Sequence, residues 1–266
     1  LLLILAFIVV VPVAALASVA FEDNGEGIRS LAHYPGIGGI LKNTIGLAIG
    51  SLVIACTLGT VLAICASRSP TRVRGVMSFI PVLSLVLPAV ASTTGWVFLL
   101  SPSAGYLNRF FRELPFVSSA TGQGPINIFS IEWIIILTGF SLTGYVFLYV
   151  NTSMEAIGTE LEAAARLSGA SSTRVLFTIT LPLIRPALVY SGGIVLLLGI
   201  GQFTNPLLLG TAENIDVLTT VLFRLKASFP IEYGLGAALS VPLIIAGVIV
   251  MMVQRRVIGA ESRYAV

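Results

Sequence analysis

Six long apolar runs, near 1–20, 43–66, 76–100, 131–150, 187–210 and 234–253, alternate with more polar stretches that hold every charged residue except Glu132. Each run has the length, about 20 residues, that carries a helix across a hydrocarbon core of about 30 Å. Glu132 stands at the start of the fourth run, within reach of an interface. Spanning strands would instead alternate apolar and polar positions in segments of about ten residues. The pattern therefore predicts an all-α, polytopic membrane protein with about six transmembrane helices in a single domain over 1–266.

Composition sharpens this reading. Hydrophobic residues make up 56% of the chain and charged residues 10%, against roughly 25% charged in soluble domains, which excludes a soluble globular protein. The formal net charge of +3 is too small to point to nucleic acid, so the placement of the charges matters more than their sum. Arg68, Arg72 and Arg74 follow the second run, Arg166, Arg174 and Arg185 follow the fourth, and Arg255, Arg256 and Arg263 follow the sixth. The opposite side holds Arg29, Lys42, Arg109, Arg112, Arg224 and Lys226 in longer segments, with the acids Glu22, Asp23, Glu26, Glu113, Glu213 and Asp216. Basic residues in short flanks mark the cytoplasmic side, so both termini are expected inside. The opening Leu1-Leu2-Leu3-Ile4 has no basic n-region and no small-residue cleavage site follows before Glu22, so it reads as a first span clipped at its start.

Small residues recur in the second run at Gly46 and Gly50 and then at Ser51, Ala55, Gly59 and Ala63, a spacing that lets helix backbones approach closely. Cys56 and Cys65 share that run, about 13.5 Å apart along a helix, too far to bond, and read as small buried hydrophobes. Pro81, Pro88, Pro206 and Pro242 each free a carbonyl and can bend a span. On the outer side Tyr106, Leu107, Phe110, Phe111 and Leu114 alternate with Asn108, Arg109, Arg112 and Glu113, as in a short amphipathic helix lying on a membrane surface.

One segment carries more specific information. Between runs four and five, 151–186 holds Glu155, Glu160, Glu162, Arg166, Arg174 and Arg185, and inserting six charges would cost on the order of 15–20 kcal/mol. It therefore stays in the cytoplasm. Ile157, Leu161, Ala164 and Ala165 recur at helical spacing, and Val175, Leu176, Ile179 and Leu183 form a second set beyond Gly169. Gly169 can end the first helix in the left-handed conformation, Ser171 or Ser172 can cap the second, and Pro182 and Pro186 bound it. The expected product is a helix pair whose apolar face sits on its own spans and whose polar tip is offered to a partner.

Glu162-Ala163-Ala164-Ala165-Arg166-Leu167-Ser168-Gly169, followed by Ile179-Thr180-Leu181-Pro182, resembles the EAA loop of permease subunits of ABC importers: an EAA triplet, three residues, glycine, nine residues, then Ile-x-Leu-Pro. Counted back from Gly169, the family glutamate falls on Ala163, with Glu162 one place early, an offset worth about 100° around a helix. Ser101-Pro102-Ser103-Ala104-Gly105-Tyr106-Leu107-Asn108, the run from Gly201 to Gly210 and the ending Gln254-Arg255-Arg256 resemble the branch containing ferric-iron, polyamine and phosphonate permeases. The tail from Gly259 to Tyr264 is similar to the stretch that joins two fused permease units, so the chain is expected to be the first half of a longer protein.

The resemblance implies a permease subunit in a bacterial or archaeal inner membrane, surrounded by lipid. It would pair with a second permease half, receive solute, with ferric iron foremost, from an extracytoplasmic binding protein, and be driven by cytoplasmic ATPases. The coupling residues it implies are Glu162, Ala163, Ala164, Gly169, Arg174, Ile179, Leu181 and Pro182. No G-x-x-x-x-G-K-[ST] phosphate loop occurs in the chain, so ATP and Mg would bind the partner ATPase and this chain would carry no cofactor. No Asp, Glu, His or Cys cluster in the spans could hold a metal, and selectivity for iron would rest on the binding protein.

Polar residues within the runs are the candidates for a pathway: Ser92, Thr93 and Thr94 in the third, and Gln202, Thr204 and Asn205 beside Pro206 in the fifth. Two readings stand open for each, a hydrogen bond to a neighbouring helix or the lining of a pathway. A secondary transporter would carry coupling charges inside its spans, and a membrane enzyme would need a nucleophile with its base or a metal set. Neither pattern is present.

Overall fold

The computed structural model describes residues 2–114, 123–157, 160–229 and 232–261. The side chains of Glu22, Asp23 and Ile157, and the tail beyond residue 261, lie outside what is described. The helices are α1 (Leu2–Ala32), α2 (Ile37–Arg68), α3 (Thr71–Val86), α4 (Ala89–Leu100), α5 (Tyr106–Arg112), α6 (Ile131–Ile157), α7 (Glu160–Leu167) and α8 (Ser172–Leu183). They continue with α9 (Arg185–Ile200), α10 (Pro206–Glu213), α11 (Leu218–Ala227) and α12 (Tyr233–Glu261).

Small residues build the centre of this all-α bundle. A Cβ on Gly59 of α2 would lie 2.6 Å from Val146 Cβ of α6, and one on Gly139 of α6 would lie 2.6 Å from Ile54 Cβ of α2. The two backbones approach this closely because neither position carries a side chain. Ser51, Ala55 and Ala63 complete the buried face of α2, as the spacing predicts. Gly46 departs from it, since a Cβ there would meet nothing within 4 Å. Gly144 makes room on another side of α6 for the Pro81 carbonyl of α3, 2.4 Å from its would-be Cβ. Around this centre α9 packs on α2, α6 and α12, while α1 pairs with α12.

The expected six runs all fall on helices, but two are not single rods. α2, α6 and α12 are long and apolar enough to cross a membrane. The third run is split into α3 and α4, which meet at 108°. Leu87 is extended, at φ −68° and ψ 129°, because a residue preceding proline is pushed out of the α region, and Pro88 repeats that conformation before α4 begins. The fifth run ends at Ile200, ten residues short of the expected boundary. Gly201, Gln202 and Phe203 are non-helical, and α10 and α11 then form a second broken pair bent by 83° where a plain outer loop was expected.

Two further expectations change. The outer helix α5 forms, with Tyr106 and Phe110 exposed, but Asn108 is turned inward and fully buried. Its amide donates to the carbonyls of Leu100, Ser101 and Ile126 and its oxygen accepts from the Ile126 N–H, so this polar side chain pins the loop to the end of α4. Of the cysteines expected to be buried, Cys56 is half-buried and Cys65 is exposed.

Candidate coupling site and pathway

α7 and α8 form the expected helix, glycine break and helix. Gly169 takes φ 84°, the left-handed region that costs glycine nothing. Its N–H donates to the Arg166 carbonyl at 3.0 Å and the Ala170 N–H to that of Ala165 at 3.0 Å, the two hydrogen bonds of a Schellman ending. Ser171 then caps α8 by accepting from the Arg174 N–H at 3.4 Å. Residues Leu176–Thr180 are wound as a π-helix. Pro182 has no N–H to give the Thr178 carbonyl, and the wider turn lies just before it. α8 meets α9 at 64°.

The face that α7 turns to the bundle is polar. Glu162 Oε1 accepts from Arg68 Nη2 of α2 at 2.8 Å and from the Thr180 hydroxyl of α8 at 2.6 Å, and Arg68 Nη2 also lies 3.2 Å from that hydroxyl. Arg166 stands one turn along, 4.0 Å from the other carboxylate oxygen. The Glu162 side chain is only 15% exposed. Burial pushes its carboxyl upward, but the bonds from Thr180 and Arg68 and the charges of Arg68 and Arg166 together outweigh it and hold the group below the ordinary glutamate range. A second tie pairs Arg74 of α3 with Glu155 of α6, whose Oε1 also accepts from Asn151 at 3.0 Å. These contacts fix the helix pair to α2 and join α3 to α6.

The orientation expected from the sequence holds for the second helix, where Val175 is buried and Leu176 and Ile179 are half-buried, and is corrected for the first, where Leu161 is 53% exposed; Leu167 at 91% and Phe177 at 66% are exposed as well. Ala163 and Ala164 are exposed beside them, as are Gly169, Arg174 and Pro182, while Ile179 and Leu181 are half-buried. The offset of the triplet accounts for the departure in the first helix. Glu162 points inward and Ala163, at the position of the resembled glutamate, points out, which the rotation of about 100° per residue requires.

The pathway candidates separate. Asn205 is buried, accepting from the Thr93 hydroxyl of α4 at 2.5 Å and donating to the Thr138 hydroxyl of α6 at 2.9 Å. This knot holds the start of α10 against two other helices, so Thr93 and Asn205 each make the interhelical hydrogen bond that is one of the two readings. Gln202 stays local: its side-chain oxygen accepts from the Phe203 N–H at 3.1 Å, and its carbonyl accepts from Thr219 at 2.7 Å. Thr204 is half-buried and Thr94 is exposed on α4. Ser92 lines a cavity of about 310 Å³ inside the α3–α4 corner, together with Ser84, Ser141, Trp96 and Phe140. Thr138 carried no signal in the sequence, and the contacts that Arg68, Thr180 and Asn108 make were not legible there, because the partners lie 7 to 112 residues away. Among the described residues no three His, Cys, Asp or Glu gather as a metal site.

The helical architecture agrees with comparisons to known proteins. The chain belongs to the family of binding-protein-dependent transport system inner membrane components, whose pattern matches residues 55–259. It is 25% identical over 264 residues to the ferric transport system permease protein FbpB of Actinobacillus pleuropneumoniae, covering 98% of this chain and 37% of that protein. A putative ferric permease of Haemophilus influenzae is 23% identical, with 40% of its length covered, so the chain spans about two-fifths of these relatives. The spermidine/putrescine permease PotB of Escherichia coli is 25% identical over 221 residues, covering 82% of this chain and 76% of that one. The fold is shared with a chain of the crystal structure of a bacterial ABC transporter that imports the acidic polysaccharide alginate, at a TM-score of 0.78, 23% identity and coverage of 96% and 93%. The MetNI methionine ABC transporter gives a TM-score of 0.60 at 16% identity, with coverage of 85% and 94%.

Proposed function

We propose that this chain is one transmembrane half of an ATP-driven importer, with α7, Gly169 and α8 as the element through which cytoplasmic ATPases move the bundle. The observation that carries the proposal is the Arg68–Glu162–Thr180 cluster. A lever must be rigidly joined to what it moves, and this cluster joins the helix pair to α2 while Ala163, Ala164 and Leu167 face outward. ATP and Mg would bind the ATPases and none would bind here. A second permease half would complete the pathway, a binding protein would deliver solute to the opposite face, and both ends of the chain would lie in the cytoplasm. Ferric iron is the solute we favour, since the ferric permease likeness runs over 98% of the chain and the polyamine one over 82%. Polyamine import is the second reading, supported by the same 25% identity.

The test is affinity purification of the full-length protein in mild detergent. An ATPase should accompany it and be lost when Leu167→Glu places a charge on the outward face. Clean recovery without an ATPase, under conditions that preserve such complexes, sinks the proposal. Uptake of radioactive iron against radioactive spermidine, in cells with and without the gene, decides between the two solutes.

A further inference from the structure

A groove of about 500 Å³ runs between α2, α9 and α12, walled by Leu52, Cys56, Leu188, Gly192, Leu196 and Val253 among others. Its one polar wall residue, Gln254, is already engaged. That amide donates to the carbonyls of Val189 and Tyr190 at 3.3 and 3.2 Å and lies over Gly193, where a Cβ would fall 1.7 Å from its nitrogen. The groove therefore offers an occupant only apolar surface, and Gly192 gives it depth.

The ends of its walls differ. Arg256 follows Val253 by three residues and Ile249 by seven, and Arg185 precedes Leu188 by three and Gly192 by seven, so each arginine continues one wall at helical spacing. Both are exposed, and the ion pairs found among the described residues leave both out. From Arg185 to Leu196 the helix rises about 16 Å at about 1.5 Å per residue. That matches one leaflet of a hydrocarbon core about 30 Å thick. An apolar slot one leaflet deep with two unengaged cations at its mouth complements the shape and charge of an amphiphile with an anionic head.

We propose that this groove binds an anionic phospholipid, its acyl chain between α9 and α12 and its phosphate on Arg185 and Arg256. The leaflet follows from the orientation proposed above and would be the cytoplasmic one; the site itself needs only that the bundle is embedded in lipid.

Cys56 reports on the groove from inside and Cys65 from outside. The full-length protein, with the partners that purify with it, is placed in mixed micelles containing phosphatidylglycerol or phosphatidylcholine of the same chains. Alkylation of each cysteine by N-ethylmaleimide is then followed by peptide mass spectrometry. Phosphatidylglycerol should slow Cys56 several-fold relative to phosphatidylcholine and leave Cys65 unchanged, and the double variant Arg185→Gln, Arg256→Gln should erase the difference. Native mass spectrometry should show phosphatidylglycerol retained by the wild type and lost from that variant. Equal rates and equal retention in the two lipids, or a preference that survives the double variant, overturn the proposal. So does a Cys56 that resists alkylation in both lipids and cross-links to a second polypeptide, which would make the groove a protein interface. None of these readouts involves ATP hydrolysis or transport, so failure here is distinct from failure of the importer reading.

Discussion

Glu162 owes its role to one step of helical rotation. Placed one residue earlier than in the loop it resembles, it faces Arg68 and Thr180 instead of solvent, and no local feature of the sequence discloses this because Arg68 lies 94 residues upstream. Gly169 was legible for the opposite reason: its positive φ is a local demand that glycine meets at no cost. The two positions predict different behaviour. Glu162→Ala leaves Arg68 unpaired and the buried Thr180 hydroxyl without its acceptor, costing on the order of 1–3 kcal/mol, read as a lower midpoint of thermal unfolding in detergent. Glu162→Gln keeps an acceptor for Thr180 and should lose less. Because the folded carboxyl lies below its unfolded range, its contribution is complete only well above the unfolded glutamate value of about 4.3 and disappears as the pH falls through the lower folded value. Wild type and Glu162→Gln should therefore differ at neutral pH and converge in acid; a gap that widens as pH falls would overturn the ion-pair account. At Gly169, Asn tolerates the left-handed conformation while Val does not, at a cost of about 1–3 kcal/mol. Gly169→Val should thus uncouple ATP hydrolysis from uptake with the spans still inserted, and Gly169→Asn should retain coupling.

Helix existence followed from apolar run length, but helix continuity did not. Pro88 announced a bend through its fixed geometry, yet the 108° corner also requires Leu87 to be extended and α4 to find its own partners. α10 was harder to read: it is short, begins at a proline, and is held by Asn205 to Thr93 and Thr138, residues on other helices. Asn205→Ala removes both bonds in a buried site and should cost about 1–3 kcal/mol, with a lower unfolding midpoint and no change in assembly with the ATPase. A midpoint equal to wild type would mean that water satisfies Thr93 and Thr138. Small-residue spacing identified the face of α2 correctly at Ser51, Ala55, Gly59 and Ala63, but spacing cannot say where the partner helix ends. Gly59→Leu must displace Val146 of α6, whereas the Cβ of Gly46→Ala enters open space. The first should abolish recovery of folded protein from the membrane and the second should leave it unchanged, unless a second permease half occupies the space beside Gly46.

The order of apolar runs shows how many apolar segments there are, but not that α6 becomes the centre while α4 faces outward. That arrangement depends on contacts between distant segments, and it leaves α4 with an uneven surface. Thr94 is exposed there, two residues from Ser92, which lines a cavity with Ser141, whereas the exposed residues of α12 between Ile245, at 52%, and Val253 are uniformly apolar. A polar exposed position on a helix that packs loosely within its own chain fits an aqueous pathway shared with a second half, and an apolar one fits lipid. The difference is measurable in a background of Cys56→Ser and Cys65→Ser. Thr94→Cys should react with a charged, membrane-impermeant methanethiosulfonate, at a rate that changes when ATP and vanadate trap the assembled transporter. Ile245→Cys should stay inert throughout, since a charged reagent does not partition into hydrocarbon. If both positions are inert in every state, α4 faces lipid, and the pathway must run along another surface of the bundle. If Thr94→Cys reacts at one constant rate, water reaches α4 but the alternation expected of a driven importer does not occur there.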